Sequence, residues 1–189
     1  MKNNSPAFNP LPGTQKTGAE NSGFFIRAEE RTRRVLGIDP GLASTGYGVV
    51  ESCGNRYRLV AYGVIETPAS APRGERLLAI YSRLCAVLDE WQPREAGMET
   101  LYFAKNVSSA MAVAEARGVA TLCLAQHCVP LGEYTPNTIK LSVTGTASAG
   151  KKLVQEYVRL LLGLEAPPEP DHAADALAAA ITHLHSARV

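Results

Sequence analysis

The sequence of 189 residues lacks any long apolar run. No window holds the roughly 18 uninterrupted apolar residues that a membrane-spanning helix requires. The first residues, MKNNSPAFNPLPGTQ, also lack a basic stretch followed by an apolar one, which is the pattern of a secretory signal. These two absences argue against a membrane-spanning or secreted protein and predict a cytoplasmic one. Hydrophobic residues make up 46% of the chain and charged residues 20%, as is typical of a globular protein.

Paired cysteines are also missing, because the sequence contains no C-x-x-C motif. The four cysteines lie mostly within apolar runs, at Cys53, Cys85, Cys123 and Cys128. This placement favours buried, reduced thiols over a zinc site or disulfide bonds. We therefore expect cysteine to carry no function in this protein.

The chain has no excess of either charge, because 19 Lys and Arg face 18 Asp and Glu. The charges are unevenly distributed: residues 1–34 hold six basic and three acidic residues, which leaves thirteen and fifteen for residues 35–189. A net charge of −2 over this larger part is unusual for a protein that binds nucleic acid. It is compatible with such binding if carboxylates hold divalent cations and the basic residues gather on one face.

Residues 1–33 are rich in Asn, Ser, Gly and Pro and show no sustained apolar period, so they predict a disordered N-terminal arm. Residues 34–189 are long enough for one compact domain. Apolar runs and turn residues in this part predict strands at 35–39, 46–52, 57–67, 96–100 and 118–126, with a turn at Gly54-Asn55. Helices are predicted at 74–91, 108–117, 151–164 and 171–187, with a short one opening at Thr135-Pro136.

Three antiparallel strands followed by two strands that alternate with helices predict an α/β fold. We expect a mixed five-stranded sheet, with three antiparallel strands and then two parallel ones, flanked by helices.

Carboxylates and one imidazole occur where such a sheet would bring them together. Asp39 ends the first strand and Glu99 ends the fourth, while His172 and Asp175 lie three residues apart on one face of the last helix, next to Asp171. Each has a structural alternative. Asp39 could form an Asp-Pro-Gly turn, Glu99 could be an exposed strand end, Asp171 could cap the helix and Asp175 could be a surface charge.

Taken together, these residues offer hard oxygen ligands and one imidazole, a set that suits two divalent cations. Two such ions can activate a water on one side of a phosphodiester and stabilise the leaving 3′ oxygen on the other. The chemistry indicated is hydrolysis of a phosphodiester.

The sequence resembles the RuvC Holliday-junction resolvases from Val35 to about His185. The matching motifs are LGIDPGLASTGYGVV (36–50), METLYFAKN (98–106), ARGVA (116–120), EYTPNTIKLSVTGTASAGKK (133–152) and DHAADALAAAITHLH (171–185). The resemblance implies an RNase H-like nuclease domain over residues 34–189 and an endonuclease that resolves four-way DNA junctions in recombination and repair.

The resemblance also implies site residues and cofactors. Asp39 would bridge two Mg²⁺ or Mn²⁺ ions, Glu99 would bind one ion and orient water, and His172 with Asp175 would complete the site, with Asp171 as the runner-up ligand. Because imidazole is a softer ligand than carboxylate, His172 predicts higher activity with Mn²⁺ than with Mg²⁺.

DNA contacts follow from the same resemblance. Tyr102 and the neighbouring Phe103 are candidates for stacking on an unpaired base, although either could be a core aromatic. Five basic residues are candidates for phosphate contacts, or alternatively solvated charges: Lys105, Arg117, Lys140, Lys151 and Lys152. The family further implies a homodimer, in which the helix around residues 111–117 could form the interface, and cooperation with the RuvA-RuvB branch-migration complex.

Two other functions fit parts of the pattern. The motif D-x-G-x-x-x-x-G from Asp39 to Gly46 resembles the phosphate loop of ATP-dependent phosphotransferases of the actin and sugar-kinase superfamily. Those enzymes need two such lobes, and this chain is long enough for only one. The second alternative is an inactive junction-binding module, against which the presence of Asp39, Glu99 and Asp175 argues.

Overall fold

A computed structural model of the chain describes residues 32–100 and 107–186. Of the predicted N-terminal arm, residues 1–31 lie outside the described residues. The elements of the described part follow one another as β1 Arg33–Asp39, β2 Ser44–Cys53, β3 Arg56–Glu66, α1 Arg73–Trp91, β4 Glu95–Glu99, α2 Val107–Gln126, β5 Leu131–Tyr134, α3 Pro136–Thr144, α4 Lys151–Leu162 and α5 Asp171–Ser186.

The strands form one sheet in the order β3-β2-β1-β4-β5. Strands β1, β2 and β3 pair antiparallel, whereas β4 pairs parallel with both β1 and β5. The predicted mixed sheet is therefore confirmed. In the β1–β4 register Ile38 lies opposite Met98, so Asp39 and Glu99 follow at the same edge of the sheet.

The fifth strand is not the segment that the sequence predicted. Residues 118–126 are helical and continue α2, and β5 is the later segment Leu131–Tyr134. A glycine inside a helix costs about 1 kcal/mol, so Gly118 is a plausible helix end in the sequence alone. In the fold, burial of Ala116, Ala120 and Leu124 against the core outweighs that cost. The four-residue β5 was missed because so short a segment shows almost no periodicity.

Two apolar cores lie on the two faces of the sheet. Helices α1 and α2 cover one face, where Leu36, Ile38 and Leu84 belong to a single buried cluster. Helices α3, α4 and α5 cover the other, where Val35, Val158 and Leu177 belong to a second cluster. None of the helices in the described ranges has the length and apolar character needed to cross a membrane.

Helix α5 lies unusually close to the sheet because small residues face each other across the contact. A side chain at Gly37 of β1 would place its Cβ 1.8 Å from the carbonyl oxygen of Ala176, and one at Gly46 of β2 would come 2.0 Å from that of His172. Both glycines are thus required by close backbone approach. The alanines of α5 serve the same contact, and Ala173, among others, is fully buried. This approach brings the first turns of α5 to the edge where β1 and β4 end.

The cysteines only partly follow the sequence prediction. None of the four forms a disulfide bond, as expected, but only Cys123 is buried, while Cys85 is half-buried and Cys53 and Cys128 are exposed. The prediction of burial was therefore wrong for Cys53 and Cys128, because Cys53 ends β2 and Cys128 lies in the turn after α2.

Candidate active site

An open cavity of about 210 Å³ lies at the carboxyl ends of β1 and β4, between the sheet and helices α3, α4 and α5. Three of the predicted ligands line it, namely Asp39, Glu99 and Asp175. Lys140 of α3 and Lys151 of α4 line its other side. The parallel pairing of β1 with β4 accounts for the first two positions, because parallel strands end at the same edge.

The turn after Asp39 is held by a residue that the sequence reasoning missed. The hydroxyl of the fully buried Thr45 donates to the carbonyl oxygen of Gly41 at 2.7 Å and accepts from the Gly41 amide at 3.3 Å. The Asp39 carboxylate instead contacts His172, with 2.7 Å between Oδ2 and Nδ1. Thr45 therefore stabilises the Asp-Pro-Gly turn, and the Asp39 side chain faces the cavity instead.

The first turn of α5 holds its two aspartates differently. Asp175 is 37% exposed and its Oδ2 lies 3.1 Å from Nζ of Lys151. Asp171 is 66% exposed, and its carboxylate accepts from Nε2 of Gln155 at 2.8 Å and lies 3.1 Å from Lys151. The structure thus pairs His172 with Asp39 and ties Asp171 to α4. This arrangement favours His172 over Asp171 as the fourth ligand.

The carboxylates in the cavity destabilise one another's charge. Burial raises the pKa of Glu99, and the nearby Asp39 and Asp175 raise it further, against the opposing effect of Lys140 and Arg117. Burial also raises the pKa of Asp175, although its hydrogen bond with Lys151 opposes the shift. The site therefore holds more negative charge than its own lysines compensate, which is what a bound divalent cation would correct. The three carboxylates and one imidazole fit such a cation as ligands.

The predicted DNA-contacting residues have different environments. Lys140 and Lys151 line the cavity, and Lys152 is exposed at the start of α4. Arg117 is only 15% exposed, because its guanidinium bonds the Glu99 carbonyl oxygen and the Glu133 carboxylate. Its position supports the strand end that carries Glu99. The remaining three candidates, Tyr102, Phe103 and Lys105, lie outside the described residues.

Comparison with known protein families shows which family the chain belongs to. The family model described as crossover junction endodeoxyribonuclease RuvC matches residues 35–183. The chain belongs to the RuvC family. The RuvC resemblance of the sequence motifs is thereby confirmed, and the fold is RNase H-like.

Individual relatives cover most of the chain. RuvC of Treponema denticola is 56% identical over 151 residues, which make up 80% of this chain and 85% of that protein. RuvC of Chloroflexus aggregans is 51% identical over 154 residues, or 82% and 94% of the two chains. Among solved structures, T. thermophilus RuvC in complex with Holliday junction substrate is similar with a TM-score of 0.77 at 35% identity, covering 80% of this chain and 93% of that one.

This RuvC-family chain is a crossover junction endodeoxyribonuclease, and nucleases of the family depend on divalent metal ions. The phosphotransferase alternative is therefore rejected. The motif from Asp39 to Gly46 that suggested it instead forms the end of β1, the turn held by Thr45 and the start of β2.

Proposed function

We propose that this enzyme resolves four-way DNA junctions by metal-dependent hydrolysis of phosphodiesters, with Asp39, Glu99, His172 and Asp175 as the cation ligands. The observation that carries the proposal is the convergence of Asp39, Glu99 and Asp175 from β1, β4 and α5 on one open cavity, with His172 in contact with Asp39. Lys140 and Lys151 also line this cavity, Lys151 in contact with Asp175, so a DNA backbone phosphate could bind beside the acidic residues.

Bound at this site, two divalent cations would supply Lewis acidity toward the phosphodiester and its attacking water. We assign both Mg²⁺ and Mn²⁺ as competent ions. The chain's own residues organise the site. Thr45 fixes the turn that directs Asp39 into the cavity, and Arg117 holds the backbone at Glu99.

His172 is the proposed fourth ligand, and Asp171 is the alternative that the contacts favour less. The imidazole already lies 2.7 Å from the Asp39 carboxylate, so both can bind a common cation after a small rotation. Lys151 forms hydrogen bonds with both Asp171 and Asp175. These hydrogen bonds outweigh the effect of burial and raise the pKa of Lys151. Lys151 therefore stays cationic, and cation binding at Asp175 would free it from that carboxylate to contact a DNA phosphate.

DNA contacts at the cavity rim complete the proposal. Lys140, Lys151 and Lys152 would neutralise phosphates next to the cleaved bond. Tyr102, Phe103 and Lys105 follow Glu99 directly in the sequence, and their roles in base stacking and phosphate contact stay predictions, as does a phosphate contact by Arg117.

A homodimer is proposed because a four-way junction must be cut on two strands of like polarity, which a two-fold symmetric enzyme can do. The solved complex of T. thermophilus RuvC with Holliday junction substrate supports the choice of substrate. On α2, Met111 is 56% exposed and Leu122 is 55% exposed, so this helix offers apolar surface for a second copy. Cooperation with a RuvA-RuvB complex belongs to the same proposal.

The test is cleavage of a labelled, mobile four-way junction beside a linear duplex, with Mg²⁺ and Mn²⁺ compared. We expect paired, symmetric nicks in the junction and none in the duplex. Asp39→Asn should abolish cleavage but leave junction binding intact, whereas Glu165→Gln, on an exposed loop, should change neither. Full activity of Asp39→Asn would refute the ligand assignment, and junction binding without cleavage in either metal would instead support an inactive module.

A further inference from the structure

A second group of metal-binding side chains lies on the face of the sheet opposite the active site, between α1 and α2. Cys85 and Asp89 are one helical turn apart on α1. Cys123 of α2 and His127, which follows the end of that helix, are likewise four residues apart. Side chains at this spacing lie on one face of a helix, so the two pairs face each other across the helix contact.

The two thiols are in close contact, with 3.0 Å between Sγ of Cys85 and Sγ of Cys123. One ligand atom from each of Cys85, Cys123 and His127 can be chosen so that all lie within 4.8 Å of one another. Residues far apart in the sequence therefore bring two sulfurs and one ring nitrogen to a single point.

The orientation of His127 leaves a nitrogen lone pair for a cation. Its Nδ1 lies 2.8 Å from the carbonyl oxygen of Cys123. A carbonyl can only accept, so Nδ1 carries the hydrogen and Nε2 of the neutral ring has a free lone pair. That nitrogen faces Oδ1 of Asp89 at 3.3 Å, so two acceptors point at each other. A proton on Nε2 or a cation bound by both groups would satisfy them.

We propose that Cys85, Cys123 and His127 bind one Zn²⁺ ion. Asp89 lies outside the group whose ligand atoms are all within 4.8 Å of one another, but its side chain is 71% exposed and would turn toward the ion as the fourth ligand. In tetrahedral zinc sites the metal lies about 2.0 Å from nitrogen and oxygen and about 2.3 Å from sulfur. A nitrogen and an oxygen ligand are then about 3.3 Å apart, which matches the observed separation of His127 and Asp89. The two sulfurs would separate to about 3.8 Å, a small rotation of two side chains.

A disulfide between the same thiols is the main competing explanation. It would leave His127 and Asp89 only their contact with each other, which is an ion pair when the imidazole is protonated. Burial of the Cys123 thiol and its contact with Cys85 raise the pKa of Cys123 to about 12, which opposes both its oxidation and its binding to a metal. Zinc would have to displace these protons, and its affinity should therefore increase with pH.

Such a site would fasten α2 to α1 without taking part in cleavage. Elsewhere the two helices are joined by the Arg73–Glu115 ion pair, by the hydrogen bond from Tyr81 to Gln126 and by apolar packing in their shared buried cluster. Bound zinc should raise thermal stability and leave the rate of junction cleavage unchanged when Mg²⁺ or Mn²⁺ is saturating.

The experiment uses the full-length protein, reduced and freed of metal with a chelator, and titrated with Co²⁺ as a spectroscopic substitute for Zn²⁺. We expect thiolate-to-cobalt charge-transfer absorption that saturates at one thiolate-bound cobalt ion per chain, in addition to any cobalt at the active site, and stoichiometric loss of that absorption when Zn²⁺ is added. The titration is repeated in the Asp39→Asn variant, which lacks a principal ligand of the active site. Because the active site offers no thiolate, cobalt bound there gives no charge-transfer absorption of this kind.

Variants at the four positions test the ligand set. Cys85→Ser and Cys123→Ser should lose the charge-transfer absorption, whereas Cys53→Ser, at the end of β2, should keep it. Asp89→Asn should weaken cobalt binding by about 10- to 100-fold. His127→Gln retains both core thiols, so it tests the site even if a serine variant fails to fold, and it should also bind more weakly.

Two outcomes would overturn the proposal. The first is the absence of thiolate-to-cobalt absorption in the parent protein, or its persistence in Cys85→Ser. The second is a protein that binds no cobalt through thiolates but loses two hydrogens by mass on exposure to air, with Cys85 and Cys123 joined in one peptide. Neither result bears on junction cleavage by the active site.

Discussion

Replacing Gly37 by alanine should separate the ligands of the active site while leaving the fold intact. The new Cβ would lie 1.8 Å from the carbonyl oxygen of Ala176 and 2.8 Å from the amide nitrogen of Ala180, both in α5. These are backbone atoms, so no side-chain rotation can relieve the overlap. Ordinary contact begins at 3.4 Å, so this part of α5 must move away from β1 by about 1.6 Å.

The displacement acts directly on the distance between Asp39 on β1 and Asp175 on α5. Ligand constellations tolerate about 0.5 Å of error, and a misplacement of 1 Å can cost about 100-fold in rate. We therefore expect Gly37→Ala to lower junction cleavage at least 100-fold. Overpacking of this kind costs about 1 to 3 kcal/mol, and for a chain of this length the upper value lowers the melting temperature by about 6 to 12 °C.

The assay pairs single-turnover cleavage of a four-way junction with junction binding and a thermal melt. Binding should stay within a few-fold, because Lys140 and Lys152 lie on α3 and α4 rather than on the displaced helix and keep their charge. The matched control is Gly74→Ala in α1, where an added Cβ meets nothing within 4 Å. It should gain about 0.5 to 1 kcal/mol of stability and keep full activity. If Gly37→Ala cleaves within tenfold of the parent and melts at the same temperature, close helix approach does not position the ligands.

Three further predictions concern the charges of the site. The pKa of Glu99 is raised above 4.5 in the folded protein, so as pH rises the Glu99 carboxyl loses its proton in the unfolded chain before it does so in the folded one. Folding stability therefore decreases between the pKa of the unfolded chain and the higher pKa of the folded protein. With a chelator present, Glu99→Gln should therefore have a higher melting temperature than the parent at about pH 8 and the same melting temperature below about pH 4. A lower melting temperature of the variant at pH 8 would contradict the raised pKa of Glu99. Lys140→Ala should reduce the slope of log affinity for junctions against log salt by about one, while Arg83→Ala on α1 should leave the slope unchanged. Cleavage should be faster in Mn²⁺ than in Mg²⁺, and His172→Asp should reverse that order; equal or faster turnover of the parent in Mg²⁺ across a concentration series would count against imidazole ligation.

Sequence patterns determined four of the five strands and the acidic residues at the edge of the sheet. Short apolar runs that end in an acidic residue identified the strands that carry Asp39 and Glu99, and the three-residue spacing placed His172 and Asp175 on one helix face. These features are local, because strand ends and helix faces depend only on residues a few positions apart. Local signals failed at Gly118, where propensity predicted a helix end and burial of the flanking alanines extended the helix to Gln126.

Only the tertiary structure decided which partner each polar group has. The sequence left Asp171 and His172 as rival ligands, and the packing of α4 on α5 ties Asp171 to Gln155 and Lys151, which supports our proposal of His172. It likewise brought Cys85 and Cys123 into contact across two helices, although their spacing in the sequence suggested no site. Such pairings depend on how closely whole elements approach. At Gly37 that distance is set by the absence of a side chain on the strand together with small residues on α5, which no single segment reveals by itself.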